Sequence, residues 1–417
     1  MVPEGWSFKT LDNANVKVID GDRGKEYPKA GDFLESGYCL FLSAKNVTKA
    51  GFLFEELQFI SEDKDKKLRK GRVERGNIVL TTRGSIGQFA YFDDSVPYDV
   101  IRINSGMVVI DATQAELLPE FFYALCRSFI IAKQIEAASF GSAQPQLTVG
   151  IIKGIKLPIP PLPEQKKIAQ ILSTWDKAIT TTEQLLVNSQ QQKKALMQQL
   201  LTGKKRLLDE NGVRFSGEWQ VLPLGQLTNI FDGTHSTPKY VEDGVPFYSV
   251  EHLTANDFSK TKFISEEVFD KENKRVKLER GDILMTRIGD IGTAKHLDWD
   301  VRASFYVSLA LVKASESFDS EYMTQYINSN IFRSELWKRT IHVAFPKKIN
   351  LGEISNCLVA IPSLEEQQKI SAVLSTADQE ITALQQKLDA LKQEKKALMQ
   401  QLLTGKRRVN TAEEEIA

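Results

Sequence analysis

The sequence predicts an α+β protein built as a tandem duplication, in which each of two globular domains is followed by a long α-helix. The block KKALMQQLLTGK occurs at residues 193–204 and again at 395–406 of this 417-residue chain. At the same offset, residues 159–206 and 361–408 are identical at 29 of 48 positions. A longer stretch of short apolar runs and Gly, Asp and Asn turns precedes each of these segments, which is typical of mixed α+β domains.

The pattern within the globular stretches places strands at 106–110 and 308–312 and helices at 119–135 and 320–338. Together with the repeat, this organisation divides the chain into five segments. The predicted boundaries are 1–156 for the first globular domain, 157–206 for the first helical segment, 207–356 for a linker and the second globular domain, 357–408 for the second helical segment, and 409–417 for an acidic tail.

The repeated segments predict two helices that pack on each other. Pro163 falls in the first turn of one helix, and Ser363 with Glu366 forms a capping box for the other. Apolar residues then recur at alternating spacings of four and three over about five heptads, the pattern of a coiled coil. We expect an antiparallel coiled-coil spacer of about 60 Å. The seam positions that we single out are Ile168, Leu172, Trp175, Ile179, Leu186, Lys193, Leu196, Leu200, Ile370, Leu374, Ile381, Leu384, Leu388, Lys395, Leu398 and Leu402.

Two of these seam positions are charged, which a purely apolar seam would not require. Lys193 and Lys395 lie inside the identical block, and we interpret them as contacts to a partner or as residues that fix the helix register. The heptads alone are equally compatible with a generic oligomerisation coiled coil in another kind of scaffold.

The composition is that of a globular protein without an overall charge bias, since 54 basic residues balance 54 acidic ones. A nucleic-acid interface must therefore depend on local charge. No apolar run approaches the ~18 residues of a membrane span, and the first residues lack the pattern of a signal peptide. Cys39, Cys126 and Cys357 have no metal-ligand spacing, so we expect buried free thiols in a reducing cytoplasm.

Residue patterns that indicate catalysis are absent from the sequence. It contains neither the phosphate-binding loop G-x-x-x-x-G-K-[ST] nor the fingerprint G-x-G-x-x-G after a strand. It also lacks the Asn-Pro-Pro-aromatic tetrapeptide of amino-methyltransferases, and its four histidines form no cluster. We therefore predict that the chain is not an enzyme and itself binds no metal or cofactor.

Basic segments recur at corresponding places in the two halves, at residues 64–75 and 271–280, and each is followed by a Thr-Arg step. An arginine on a turn bounded by glycine can reach O6 and N7 of guanine, while nearby lysines neutralise phosphates. Such charge runs are also common on solvated faces, and both interpretations stay open. The candidate contacts are Lys67, Arg69, Lys70, Arg72 and Arg83 in the first half, and Lys274, Arg275, Lys277 and Arg287 in the second.

Three polar loops, at residues 140–146, 233–239 and 345–348, offer further candidates. Amide side chains suit adenine, whereas hydroxyls discriminate weakly between bases. Each loop is equally compatible with an ordinary turn. The candidates in these loops are Ser142, Gln144, Thr237, Lys239, Lys347 and Lys348.

These residues together resemble a known family, the DNA-specificity subunits of Type I restriction-modification systems. The resemblance lies in LPIPPLPEQKKIA at 157–169, IPSLEEQQKI at 361–370, LLTGK at both helix ends, G-x-x-x-T-P at 233–238 and RGDI at 280–283. It covers nearly the whole chain in the family's order of domain, helix, domain, helix. The first half differs from this pattern, because it has DGDRGKE near residue 20 where the Thr-Pro turn is expected.

The resemblance implies that each globular domain is a target-recognition domain that reads one half of a split double-stranded DNA sequence. The helices would set the gap between the halves and dock two modification subunits. Those partners would carry S-adenosylmethionine and methylate adenine, and restriction subunits would translocate and cut DNA using ATP and Mg. Two other hypotheses are a coiled-coil adaptor that binds no DNA, and a stand-alone nuclease or methyltransferase.

Overall fold

The structure, a computed structural model, describes residues 3–139 and 146–411. It confirms the α+β tandem duplication with two long helices. The elements of the first half are β1 Ser7–Thr10, β2 Lys17–Asp20, β3 Cys39–Leu42, β4 Val47–Thr48, β5 Gly51–Phe52, β6 Phe59–Ile60, α1 Glu62–Lys67, β7 Arg72–Val73, β8 Ile78–Thr81, β9 Phe89–Tyr91, β10 Ile101–Ile103, β11 Met107–Asp111, α2 Pro119–Cys126, α3 Phe129–Ser139, α4 Val149–Lys153, β12 Lys156–Ile159 and α5 Leu162–Leu200.

The second half repeats this order with small differences. Its elements are β13 Gln220–Pro223, α6 Leu224–Leu227, β14 Ile230–Asp232, β15 Tyr240–Val241, β16 Val245–Tyr248, α7 Val250–Ala255, β17 Lys262–Ile264, α8 Glu266–Asn273, β18 Ile283–Ile288, β19 Asp290–His296, β20 Ser304–Phe305, β21 Leu309–Val312, α9 Ser320–Asn328, α10 Asn330–Arg339, α11 Leu351–Ser355, β22 Leu358–Ile361 and α12 Leu364–Leu402.

Each globular domain has two four-stranded sheets. One sheet is antiparallel, in the order β2-β11-β8-β9 in the first half and β14-β21-β18-β19 in the second. The other sheet contains one parallel pair, β3 with β10 or β16 with β20. A two-stranded antiparallel sheet, β1 with β12 or β13 with β22, joins the first strand of the domain to the strand that leads into the long helix.

The predicted strands are present as β11 and β21, but each predicted helix between strands is divided into two. The stretch 119–135 forms α2 and α3, and 320–338 forms α9 and α10. The division in the second half has a local cause, because the Ser329 hydroxyl accepts a hydrogen bond from the backbone N–H of Phe332 and begins a new helix. The serine at the break is therefore a sequence signal for the start of a second helix, which the apolar periodicity alone does not reveal.

The chain forms two compact units, and each contains parts of both long helices. The first unit consists of residues 1–183 and 387–417, and the second of residues 184–386. In the first unit the core includes Ile168 and Leu172 of α5 together with Leu402 of α12. In the second it includes the corresponding residues from the opposite helix ends, Leu200 with Ile370 and Leu374. The predicted boundaries assign each long helix to one segment of the sequence. In the structure, the two ends of each long helix pack in different cores.

Every predicted seam position is buried or half-buried, whereas neighbours such as Leu185 and Val187 are exposed. The start signals are also present: α5 has Pro163 in its first turn, and the Ser363 hydroxyl accepts a hydrogen bond from the backbone N–H of Glu366 at 3.4 Å. Among the described residues, no helix is long and apolar enough to cross a membrane. All three cysteines are buried free thiols, as predicted.

Candidate nucleic-acid interface

In the first domain a buried arginine fixes the shape of the basic segment. Arg102 is ion-paired with the buried carboxylate of Asp65, and its guanidinium also donates to the carbonyl oxygens of Leu68 at 3.1 Å and Lys70 at 2.8 Å. These bonds occupy the inward-facing polar groups of residues 65–70. The predicted contacts Lys67, Arg69 and Lys70 are left exposed, without an ion-pair partner among the described residues.

A second carboxylate ties the loop after β2 to this segment. Asp22 is buried and accepts hydrogen bonds from the backbone N–H groups of Gly24 at 2.7 Å and Arg69 at 2.8 Å. The bond from Gly24 lowers the pKa of Asp22, burial opposes it, and the bonds and charge of Arg69 complete a net decrease below 3.8. The loop that lacks the Thr-Pro sequence is thus joined to the basic segment by a carboxylate.

The remaining two arginines of the first half differ in their availability to a ligand. Arg72 lies 3.3 Å from the carboxylate of Asp65, so part of its charge is compensated within the domain. Arg83 is exposed beside Gly84, whose φ of +69° produces the tight bend expected from the sequence. Arg83 has no ion-pair partner in the described part of the chain, and it retains its donors for an external acceptor.

In the second domain Asp232 organises the corresponding loop. Arg275 donates to its carboxylate at 2.9 Å, and to the carbonyl oxygen of Gly233 at 2.6 Å. His235 lies 2.8 Å from the same carboxylate. Burial raises the pKa of Asp232, but the hydrogen bonds from Arg275 and His235 outweigh burial and hold the pKa below 3.8. Arg275 therefore anchors the 233–238 loop in addition to any contact with DNA.

Gly233 is required by the close approach of this loop to β20. A Cβ atom at Gly233 would collide with the backbone carbonyl of Phe305, and the N–H of Thr234 donates to that same carbonyl at 3.0 Å. The Thr237 hydroxyl, three residues further along the chain, is exposed and lies 3.3 Å from the phenol oxygen of Tyr306. The loop thus presents hydroxyls from a fixed backbone.

Arg287 is not placed as the sequence predicts. It lies in strand β18 rather than on a turn and is only 8 % exposed. Its guanidinium donates to the carbonyl oxygens of Val307 at 2.8 Å and Ile349 at 3.0 Å, and it lies 3.3 Å from the Asp232 carboxylate. Since these partners use its donors, Arg287 stabilises the loops around it, and Arg83 has no true counterpart here.

The other candidates of the second domain are exposed. Lys277 lies 4.0 Å from Glu279, and the ammonium of Lys347 lies 4.7 Å from the centre of the Trp337 ring. In the first half, the candidates Ser142 and Gln144 fall outside the described residues. The candidates that the structure leaves exposed in this domain are Thr237, Lys239, Lys274, Arg275, Lys277, Lys347 and Lys348.

A cleft of about 540 Å³ beside Thr237 was not anticipated from the sequence. Its walls include the aromatic rings of Tyr240 and Tyr306, and the ammonium of Lys262 lies 4.8 Å from the centre of the Tyr240 ring. Aromatic faces with a nearby cation suit bases and phosphates. Tyr240, Lys262 and Tyr306 come from separate strands and loops, so no local pattern predicts this cleft. The nearby Thr-Pro turn was the sequence signal closest to it.

In each unit the long helices are held together by a lysine of the identical block. Lys193 Nζ lies 2.6 Å and 2.7 Å from the two carboxylate oxygens of Asp378 in the second unit, and Lys395 is paired with Asp176 in the first. Within the second unit the helices are antiparallel, because Ser189 contacts Glu380, Lys193 contacts Asp378 and Arg206 contacts Glu366. This is the register contact considered above, and a partner contact stays a prediction.

A second repeated contact closes the helix ends. Glu366 is buried and accepts a bidentate interaction from Arg206, while the indole N–H of Trp219 donates to it at 3.3 Å. In the other unit, Glu164 receives the corresponding bonds from Arg408 and Trp6. All of these residues are repeated between the halves of the sequence, so the repeat itself was the signal for this contact.

The duplicated domains with their exposed cations, joined to a pair of long helices, fit a protein that recognises DNA. A family described as the type I restriction modification DNA specificity domain matches residues 3–188 and 216–393. The chain belongs to this family. It is therefore a DNA-specificity subunit, which supplies recognition and not catalysis.

Individual relatives agree with this assignment. The chain is 28 % identical over 428 residues to the type I restriction enzyme MjaVIII specificity subunit of Methanocaldococcus jannaschii, covering 98 % of this chain and 94 % of that protein. It is 24 % identical over 387 residues to the EcoKI specificity subunit of Escherichia coli K12, covering 88 % and 81 % respectively. The crystal structure of the type I restriction-modification S subunit from M. genitalium shares the fold, with a TM-score of 0.61 at 15 % identity over 96 % of each chain. Family membership supports the DNA-specificity hypothesis over the adaptor.

Proposed function

We propose that this chain recognises a bipartite, gapped sequence in double-stranded DNA and docks two modification subunits of a type I restriction-modification complex. The observation that carries the proposal is the repetition of one domain-and-helix plan at an offset of 202 residues, with basic segments at matching places. Two similar but unequal domains suit two different half-sites, because the side chains that would contact bases differ between the halves.

The catalytic chemistry would belong to the partners. We propose that S-adenosylmethionine binds to the modification subunits, and that ATP and Mg act on restriction subunits that join through the complex, in the cytoplasm. The chain would contribute the exposed cations that contact phosphates, the polar loops that contact bases, and the spacer that sets the distance between the half-sites.

The test is a map of methylated adenines in DNA from cells that express this chain with the modification subunit encoded beside it. We expect one gapped motif that disappears when the chain is omitted. A continuous motif would contradict the bipartite reading, and the absence of new methylation from a soluble, co-purifying complex would contradict the proposal as a whole.

A domain exchange tests the division of labour between the two halves. Replacing residues 228–353 with the corresponding region of another specificity subunit should change one half of the motif and leave the other half and the gap intact. A change in both halves would mean that the domains do not read DNA independently. The matched control is the same exchange made with the first domain, which should change the other half only.

A further inference from the structure

The loop between α10 and α11 carries an apolar tip in water. Val343 is 97 % exposed and Phe345 is 103 % exposed, and Trp337 at the end of α10 is 58 % exposed. Single exposed apolar residues are common on soluble proteins. Here three lie within nine residues of one loop and its adjoining helix, and such a concentration of exposed apolar side chains is typical of a site that another molecule covers.

The base of this loop is fixed by hydrogen bonds, so its tip has a defined position. The N–H of Ile341 donates to the carbonyl oxygen of Lys348 at 2.8 Å, which closes the loop on itself. The N–H of Gly289 donates to Lys347 at 2.8 Å, and the N–H of Ile349 donates to Arg287 at 3.0 Å, which joins the loop to the end of β18. These hydrogen bonds therefore hold the base of the loop in place and leave its tip exposed.

Two lysines follow the apolar tip in the loop. Lys347 and Lys348 are exposed beside Phe345, and the Lys347 ammonium packs against the Trp337 ring. The rings of Trp337 and His342 lie 4.2 Å apart, and His342 Nε2 is 2.9 Å from the carbonyl oxygen of Trp337. An apolar tip next to two exposed cations is complementary to duplex DNA, where stacked bases lie between two rows of phosphates.

We propose that residues 341–348 form a wedge, with Phe345 inserting between adjacent base pairs of the half-site read by the second domain. Lys347 and Lys348 would neutralise the phosphates on either side of the opened step. This proposal rests on the function proposed above and adds a mode of recognition: the domain selects sequences whose base step is easily unstacked, as well as sequences whose base edges fit its loops. An anionic membrane surface would also attract such a loop, but its base is built into the strand that carries Arg287 in a DNA-specificity domain.

The experiment uses the purified complex of this chain with its modification subunit, without S-adenosylmethionine, on duplexes that contain the mapped motif. 2-Aminopurine replaces, in turn, each adenine in either strand of the second half-site and of the base pairs that flank it, except the methylated adenine. We expect the fluorescence to rise at one step with the wild-type complex and with Phe345→Leu, which keeps apolar bulk. The rise should be lost with Phe345→Ala.

A mismatch at the same step separates a wedge from a structural role. Because the mismatch lowers the cost of unstacking, the wild-type complex should bind the mismatched duplex about tenfold more tightly than the intact one. Phe345→Ala should bind both duplexes equally. Phe8→Ala is the matched control, since Phe8 is also an exposed phenylalanine, at 52 %, but lies in β1 of the first domain.

The outcomes distinguish this proposal from the function on which it rests. Specific binding without any brightening, and with no preference for the mismatch, would overturn the wedge and leave the DNA-specificity function intact. Failure of the wild-type complex to bind the motif would overturn both. Binding to phosphatidylserine vesicles that depends on Phe345, with no effect of Phe345→Ala on DNA, would show that the loop serves a membrane surface instead.

Discussion

The ammonium group of Lys193 lies 2.6 Å and 2.7 Å from the two carboxylate oxygens of Asp378, across the two long helices of the second unit. Asp378 also accepts a hydrogen bond at 2.8 Å from the side chain of Gln325 in α9. One carboxylate thus joins both helices to the globular domain. Lys395 and Asp176 form the equivalent helix pair in the first unit.

We expect a double-mutant cycle with Lys193→Met and Asp378→Asn to give a coupling free energy of about 0.5–1 kcal/mol, because the Asp378 side chain is 44 % exposed and solvent screens the pair. Urea unfolding of the four proteins measures the coupling. Lys204→Met, in the same repeated block but beyond the end of α5, is the control.

The same variants decide whether Lys193 also contacts a partner. If the lysine only fixes the register, Lys193→Met should co-purify with the modification subunit at the wild-type ratio. Loss of the partner from a variant that remains folded would instead establish a partner contact, which the seam position of this lysine permits.

Arg102 should be essential for the conformation of the basic segment of the first domain. Arg102→Met leaves the Asp65 carboxylate buried without its main partner, and removal of one member of a buried ion pair costs about 3–5 kcal/mol. Because Arg102 also holds the carbonyl groups of Leu68 and Lys70, DNA affinity should fall along with the free energy of unfolding. Denaturant titration and DNA binding measure the two effects.

Arg72→Ala provides the comparison, since this exposed arginine contacts the same carboxylate. We expect it to cost under about 1 kcal/mol. Equal losses for Arg72→Ala and Arg102→Met would mean that burial of the Arg102 pair is not the source of its contribution.

The salt dependence of binding should identify the phosphate contacts. Each neutralised phosphate contributes about 0.9 to the slope of log K against log salt concentration, so the triple change of Lys67, Arg69 and Lys70 to alanine should lower the slope by up to about 2.7. Lys45→Ala is the control, because Lys45 is exposed but paired with Glu56. An unchanged slope for the triple variant would remove these three residues from the interface.

The repeat made much of the architecture predictable, because the heptads, the capping residues and the duplicated block all lie within single continuous segments. The partners of the recognition loops were not predictable in this way. Asp22 and Arg69 are separated by 47 residues in the sequence, and Asp232 and Arg275 by 43. Local patterns contain no information about such pairing. For Arg287, a local similarity was misleading. Its Thr-Arg step matches that of Arg83, but its guanidinium is buried in the domain by contacts with Asp232 and two backbone carbonyl groups.

The three thiols should be unreactive in the folded protein. Burial raises the pKa of Cys39 and of Cys357 to about 12, and burial raises the pKa of Cys126 as well. At pH 8 all three therefore stay protonated and shielded, and we expect Ellman's reagent to label none of them until denaturant is added, when three thiols per chain should react. Rapid labelling of any cysteine in the native protein would contradict its buried placement.

Asp232 should make the second domain sensitive to acid. Its pKa in the folded protein lies below the ordinary 3.8, so it contributes stability above about pH 3.8, and that contribution is lost as the pH falls through the lower folded value. Urea unfolding at pH 7 should therefore show a destabilisation by Asp232→Asn that shrinks toward pH 3. Asp243→Asn, at an exposed aspartate in the same half, is the control and should show little effect at either pH. A destabilisation by Asp232→Asn that is equally large at both pH values would mean that the loss comes from packing of the loop and not from the charge that Arg275 and His235 stabilise.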